Sequence, residues 1–423
     1  MSKRRPRGVF RLLGAGVVTG AADDDPSAIG TYASAGAAFG LAFLWIAPAL
    51  LPMMFIVVYL SGKLGRVYGK GLFGAIYDRF PRWVVWPAMA GAFIGNVIEA
   101  AANLGGIGVA VNLLLPAPVW SIVVVVAIGV TAMQWFGSYV WLSRVFRWLA
   151  LALFAYVGAA ILARPDIREV IRGTLVPSVT FDTRWMAMLV ACIGTSLSAY
   201  VYTWQSNQEV EERIANGEAQ PWRHPGASSS QMRRLRRDVA VGVVFSNLIL
   251  YFIIMATGAT LHAAGQHEIH SAAQAATALE PLAGPAARWL FALGVVGVGC
   301  LAVPVMTTGA AYDLAQAFRQ PSSLHAKPRE APLFYVTIAG VAAVAVALNL
   351  FGVNPMRALV WSGLVQGFSV PPLLCLMMKM TGDRRMMGDQ VNGRLVRFLG
   401  WATTASTGAA TVVLLVLYAR GDA

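Results

Sequence analysis

The sequence predicts an all-α membrane protein of about eleven transmembrane helices, the first ten forming two inverted repeats of five, with helices one and six broken. Three observations carry this expectation. The chain of 423 residues is 57% hydrophobic and 13% charged with mean hydropathy +0.62, a profile that would leave a single soluble core far too much exposed apolar surface. Apolar runs long enough to cross a bilayer recur along its length. Two of these runs, five apart in order, are interrupted by residues that helices in hydrocarbon tolerate poorly.

The runs fall at 10–40, 42–62, 84–114, 118–137, 141–163, 186–208, 239–263, 284–318, 333–352, 356–378 and 396–418. They form one transporter domain over 1–423, with a first repeat at 10–163, a second at 186–378 and an extra helix at 396–418. The basic start, MSKRRPRGVF, leads into an apolar run as a signal peptide does. That run continues through acids without a cleavage site, so it reads as a retained first span. With the N-terminus cytoplasmic, cytoplasmic segments carry about 26 of the 33 Lys and Arg residues and outer segments about 7. The net charge of +13 is therefore read as topology signals in a multi-pass plasma (inner) membrane protein. The other reading of those clusters is an anionic-lipid or nucleic-acid patch. The expected partners are the bilayer and a transported ion, with no nucleic acid and no obligate protein partner. Cys192, Cys300 and Cys375 lie in apolar runs without paired spacing and read as small packing residues.

In the first span, Asp23, Asp24 and Asp25 stand directly before Pro26. Carboxylates in hydrocarbon cost several kcal/mol each. Proline removes a backbone donor and clashes with the preceding turn, so the helix breaks there. Acids at a helix break near the midplane point to a cation site. Three adjacent carboxylates also repel one another, which leaves the ionisation of Asp23 and Asp24 open.

The sixth span carries Gly194, Thr195, Ser196 and Ser198, a poor helix former and three hydroxyls. The expected break runs from Gly194 to Ser198; the alternative is that the hydroxyls bond back to the helix and only bend it. Facing breaks would supply the Asp25 carboxylate, free carbonyls and the Ser196 and Ser198 hydroxyls. Such an all-oxygen set suits magnesium and, less well, manganese. Elsewhere in the spans, Asn96 and Glu99 share a helix face with Asn103 a turn further on. Glu99 reads either as a second carboxylate or proton acceptor, or as a structural glutamate. Asn247 and Gln366 read as cavity-lining amides or as helix–helix hydrogen bonds. Asp313 reads as a group reaching the cytoplasmic interface, and Glu209, Glu211 and Glu212 as acids near the exit. The 213–238 segment, with Pro221, Pro225 and a Ser-Ser-Ser run, reads as a polar flexible loop. The outer loop with His262, His267, Glu268 and His270 reads as a surface loop or a metal-collecting cluster.

At these residues the sequence resembles the Nramp divalent-metal transporter family, and more closely its branch of Nramp-related magnesium transporters. The family's G-P-G followed by D-P-G-N is matched by Gly14-Ala15-Gly16 and Asp25-Pro26-Ser27-Ala28. Its sixth-span M-P-H is matched by Ser198-Ala199-Tyr200. The branch's D-D-D-P-S and W-Q-x-x-Q/E-E-V-E-E are matched by Asp23 to Ser27 and Trp204 to Glu212. The resemblance implies a LeuT-type fold with alternating access and Asp25 as the metal-binding aspartate. It places Ala28 where the family has an asparagine, Ser198 in place of the methionine and Tyr200 in place of the histidine linked to proton movement. It turns the Ala22 and Thr195 carbonyls toward the ion and keeps Asp24 near it. Asp23, Asn96, Glu99, Asn247 and Gln366 become pathway or coupling candidates. The third-span acids that carry protons in the family fall at Asn96 and Glu99, one lost and one kept.

The expectation is a non-enzymatic importer of divalent cations, Mg2+ first and Mn2+ second, without a resident cofactor and with weak or absent proton coupling. The alternatives are a proton-coupled Mn2+/Fe2+ transporter, a transport-dead sensor, an organic-solute carrier and an intramembrane aspartyl protease. A carrier's substrate carboxylate would be repelled by Asp25, and a protease would need a G-x-G-D partner to Tyr312-Asp313 that the sequence lacks.

Overall fold

The computed structural model describes residues 19–20, 22–136, 153–218, 220–223, 226–324, 326–352 and 354–420. Among them nine helices are long and apolar enough to cross a membrane, and they coincide with nine of the eleven expected runs. The first run starts outside the described residues and continues as the 14-residue α1 (Pro26–Phe39). The fifth run lies partly outside them, its described end being α6 (Phe154–Leu162).

The first half continues with α2 (Ile46–Tyr68), α3 (Leu72–Arg79), α4 (Arg82–Asn112) and α5 (Val119–Phe136). After α6 come α7 (Ile167–Leu175), α8 (Thr183–Ser196), α9 (Ala199–Ala215) and α10 (Ser229–Thr257). Then follow α11 (Ala287–Ala317), α12 (Pro332–Leu350), α13 (Pro355–Thr381) and α14 (Arg394–Arg420). Short helical turns link several of them. α2 ends at Gly69, whose φ of +80° lets its N–H return to the Gly65 carbonyl.

The site is positioned by a few close pairs. α11 lies along α4, α8 along α13, and α9 along α2. The α8–α13 pair meets backbone to backbone, because a Cβ at Gly194 would collide with Gly363 and Gly367 of α13. α9 is tied to α2 by Arg66, whose guanidinium pairs with Glu209 and Glu212, while Arg213 Nη1 donates to the Arg66 carbonyl at 2.9 Å. Removing Arg66 would leave Glu209 buried and unpaired, a loss of about 3–5 kcal/mol.

Three expectations need correction. Gly194, Thr195 and Ser196 remain helical, and the sixth-span break is confined to Leu197 and Ser198. Gly194 serves close packing rather than unwinding. The 213–238 segment is not one loop: α9 runs to Ala215, and α10 starts at Ser229 behind a capping box of Ser228 and Gln231. The serine run therefore begins a helix, and the basic Arg233–Arg237 stretch lies on it. Asp313 does not reach the interface; it is 0% exposed on α11.

Candidate metal site at the two helix breaks

Ala22 and Asp23 are still helical, Asp24 and Asp25 are not, and α1 restarts with Pro26 at its first position, where a missing N–H costs nothing. Asp25 is the N-cap, with extended backbone and Oδ1 accepting the Ala28 N–H at 2.7 Å. Capping occupies one bond of one oxygen. Ser27 Oγ donates to the same Oδ1 at 2.7 Å, and Oδ2 receives the Tyr200 hydroxyl at 3.0 Å and Asn103 Nδ2 at 3.2 Å. The carboxylate thus joins α1, α4 and α9.

Ser27 is the hub. Its hydroxyl lies within hydrogen-bond reach of Asp25 Oδ1, Glu99 Oε1 at 3.2 Å and Thr195 Oγ1 at 3.1 Å. Glu99 Oε1 also takes Ser198 Oγ at 3.0 Å, and Oε2 takes Gln366 Nε2 at 2.6 Å. Ser198 is the N-cap residue of α9, yet its side chain makes no capping bond; its hydroxyl faces Glu99 and the Gly194 and Thr195 carbonyls. The Ala22 carbonyl, at the first-span break, shares the Tyr200 hydroxyl with Asp25 Oδ2, at 3.0 Å. Asp25, Glu99, Ser27, Ser198, Thr195 and Tyr200 are all at most 1% exposed or fully buried.

Of the predicted residues, Asp25, Ala22, Thr195, Ser198, Tyr200, Glu99 and Gln366 are therefore brought together. Ala28 reaches Asp25 only through its N–H and offers a methyl where an amide would add an oxygen. Asp23 and Asp24 turn to α10, where the Ser246 hydroxyl meets Asp23 Oδ2 at 3.1 Å and Asp24 Oδ1 at 2.8 Å. Asn96 sits one turn beyond Glu99, its Oδ1 accepting from Gln366 and its Nδ2 donating to Asp313. Asn247 lies away from the site and ties α10 to α2 through the Ala47 carbonyl at 2.7 Å. Ser196 bonds the Tyr32 hydroxyl at 2.5 Å. The exit acids are engaged: Glu209 and Glu212 on Arg66, and Glu211 by Tyr312, Ser323 and the Leu324 N–H.

Sequence reasoning missed Ser27 and Asn103 as site residues. The i+4 spacing of Asn103 from Glu99 and the serine of the D-P-S run were the signals that could have found them. It also missed Met306 of α11, whose Sδ accepts from Asn103 Nδ2 at 3.3 Å. A thioether thus stands behind Asn103 although position 198 has none. Among the described residues no group of three or more His, Cys, Asp and Glu gathers that could hold a metal. The two carboxylates at the breaks act with hydroxyls, an amide and carbonyls instead. In the outer loop, His267 Nδ1 lies 3.2 Å from His262 Nδ1, while Glu268 pairs with Arg184 and His270.

The family model Nramp, described as natural resistance-associated macrophage protein-like, matches residues 16–417. The chain is 26% identical over 412 residues to the divalent metal cation transporter MntH of Pectobacterium carotovorum subsp. carotovorum (strain PC1), covering 96% of this chain and 94% of that protein. In structure it is similar to the Eremococcus coleocola manganese transporter, with TM-score 0.71 at 17% identity over 97% of this chain and 88% of that one. It is also similar to Mhp1 in its inward-facing conformation, with TM-score 0.54 at 13% identity over 96% and 91%. These likenesses give the helices around the two breaks a LeuT-type architecture, and the match along nearly the whole sequence shows that the chain belongs to the Nramp family.

Proposed function

We propose that the chain imports divalent metal cations, Mg2+ first and Mn2+ second, by alternating access around Asp25 and Glu99. The observation that carries this reading is the donor set at the breaks: two carboxylates, the Ser27, Thr195, Ser198 and Tyr200 hydroxyls and the Ala22 carbonyl, all oxygen. Hard cations take such ligands, and Mg2+ keeps part of its water shell when one or two carboxylates bind it. Hydroxyls that now donate to Asp25 and Glu99 can rotate and present lone pairs to an ion. The Ala28 N–H cannot, and Asn103 Oδ1 is taken up by the Ser27 N–H, so the Ser27 and Tyr200 hydroxyls are the groups beside Asp25 that can turn to an ion.

Two carboxylates compensate a dication, and a membrane potential of 100 mV adds about 4.6 kcal/mol for two charges moving inward, at about 2.3 kcal/mol each. Asn96 holds no titratable proton, so coupling through α4 is left to Glu99 and is weak or absent. A proton-coupled Mn2+ transporter is the second reading, favoured by the Met306 thioether one side chain behind the site. Purified protein in liposomes with an inward-negative potential distinguishes them. The first reading expects Mg2+ uptake without matching proton entry; proton-coupled Mn2+ uptake with no Mg2+ flux would replace it with the second.

A further inference from the structure

Asp313 is a buried acid for which the ion site has no use. Asn96 Nδ2 donates to its Oδ2 at 3.3 Å from α4, and the Thr203 hydroxyl of α9 faces the same carboxylate. Among the described residues, neither Asp313 Oδ1 nor Thr203 Oγ1 completes a well-formed hydrogen bond, and both side chains are fully buried. An unpaired carboxylate in such a place is costly unless it is neutralised. No basic side chain approaches it among the described residues. Facing it are Asn96 from α4 and Thr203 from α9, with Tyr202 of α9 close by. Tyr312 adjoins it on α11, with Glu211 of α9 held by that tyrosine; Phe334 of α12 packs on Tyr312, and Tyr335 sits edge-on to Phe334. α3 offers Tyr77 and Asp78 only at the cavity below, where Arg319 stacks on Tyr77.

That cavity, of about 770 Å³, opens beside the end of α9 and is lined by Asn207, Glu211 and Gln316. Asn207 follows Thr203 by one turn on α9, and Gln316 follows Asp313 by one turn on α11, so each pair shares a helix face. Gln316 Nε2 donates to Asn207 Oδ1 at 2.6 Å. This amide pair lines the cavity one turn along both helices from Thr203 and Asp313. On the other side, Asn96 and Gln366 connect Asp313 to Glu99 through hydrogen bonds of 3.3 Å and 2.6 Å.

We propose that Asp313 is a proton-binding site that controls how readily α9 parts from α11. With the proton bound, the carboxyl is neutral and the closed interface keeps no bare charge. With the proton lost, the carboxylate gains by meeting water, so the Asn207–Gln316 pair opens toward the cavity and the ion path widens on that side. The proton is then a modulator of rate rather than an obligatory co-substrate. This rests on the alternating-access reading above, with α9 as the moving half of its broken helix.

Asp313→Asn keeps the shape and the Asn96 contact but cannot ionise. Uptake of Mg2+ and of Mn2+ into proteoliposomes is measured at equal internal and external pH from 5.5 to 8. Titration at the ion site affects both proteins alike, so the ratio of wild-type to Asp313→Asn flux is the readout. It is expected to rise with pH, by up to about tenfold per unit, the limit for one proton. A ratio independent of pH overturns the proposal. A second measurement needs no transport and survives failure of the cargo reading. Thr203→Cys is labelled by a small thiol reagent, with and without Asp313→Asn, or Asp313→Ser if the amide variant does not fold. The ratio of labelling rates is expected to rise with pH only because of Asp313; identical rates at every pH overturn the proposal.

Discussion

Three identical side chains in a row end in two different environments. Asp25 is held by donors from α1, α4 and α9, whereas Asp23 and Asp24 share the Ser246 hydroxyl, and Asp23 Oδ1 and Asp24 Oδ2 have no partner among the described residues. The difference follows from backbone position. Asp23 is the last helical residue before the break, so its side chain stays on the helix face toward α10. Asp25 occupies extended backbone before a proline, which swings its carboxylate into the gap where the second break arrives. Charge alone therefore does not make the site; position at the cap does.

The largest expected effect tests Asp25 itself. Asp25→Ala should lower divalent-cation flux in liposomes at least about 100-fold, the equivalent of about 2.7 kcal/mol, with a monodisperse, cooperatively melting protein. Near-normal flux in that variant would erase the contrast. Next in size, Ser198→Met should place a thioether beside Glu99 and raise the Mn2+ over Mg2+ preference by about tenfold in competition uptake. An unchanged competition profile would mean that Ser198 does not face the ion. The smallest effect belongs to Asp24→Asn. It removes an ionisable carboxyl whose hydrogen-bonding partner among the described residues is the Ser246 hydroxyl, so flux should stay within about threefold of wild type and the melting temperature should hold or rise. A loss as deep as that of Asp25→Ala would show the two acids to be equivalent after all.

Much of this was legible in the sequence, because hydrocarbon length and proline chemistry act locally. Nine of the expected spans recur as helices, and the first break lies where Asp25-Pro26 puts it. The second break was drawn too wide. Glycine and small hydroxyl residues weaken a helix, but they are also what two helices need in order to touch, and Gly194 is spent on α13. The partners that decide the site were not readable locally. Asn103 offers only its spacing from Glu99 as a local signal, and Met306 depends on which face of α11 turns toward the breaks, which is settled by packing across the molecule. Glu211 shows the same limit: a surface acid by position, it is buried because Tyr312, Ser323 and the Leu324 N–H close around it.

The lack of any arginine or lysine paired with Asp25 or Glu99 among the described residues bears on voltage. With both carboxylates ionised, the empty carrier holds two negative charges at its centre and the loaded carrier holds none. The electric field then acts on the return of the empty protein, while the loaded step is electrically silent. Transient currents in the absence of any divalent cation, suppressed when Mg2+ saturates the site, are the expected signature. Currents that appear only with the ion present would place the voltage-sensing step in the loaded carrier instead.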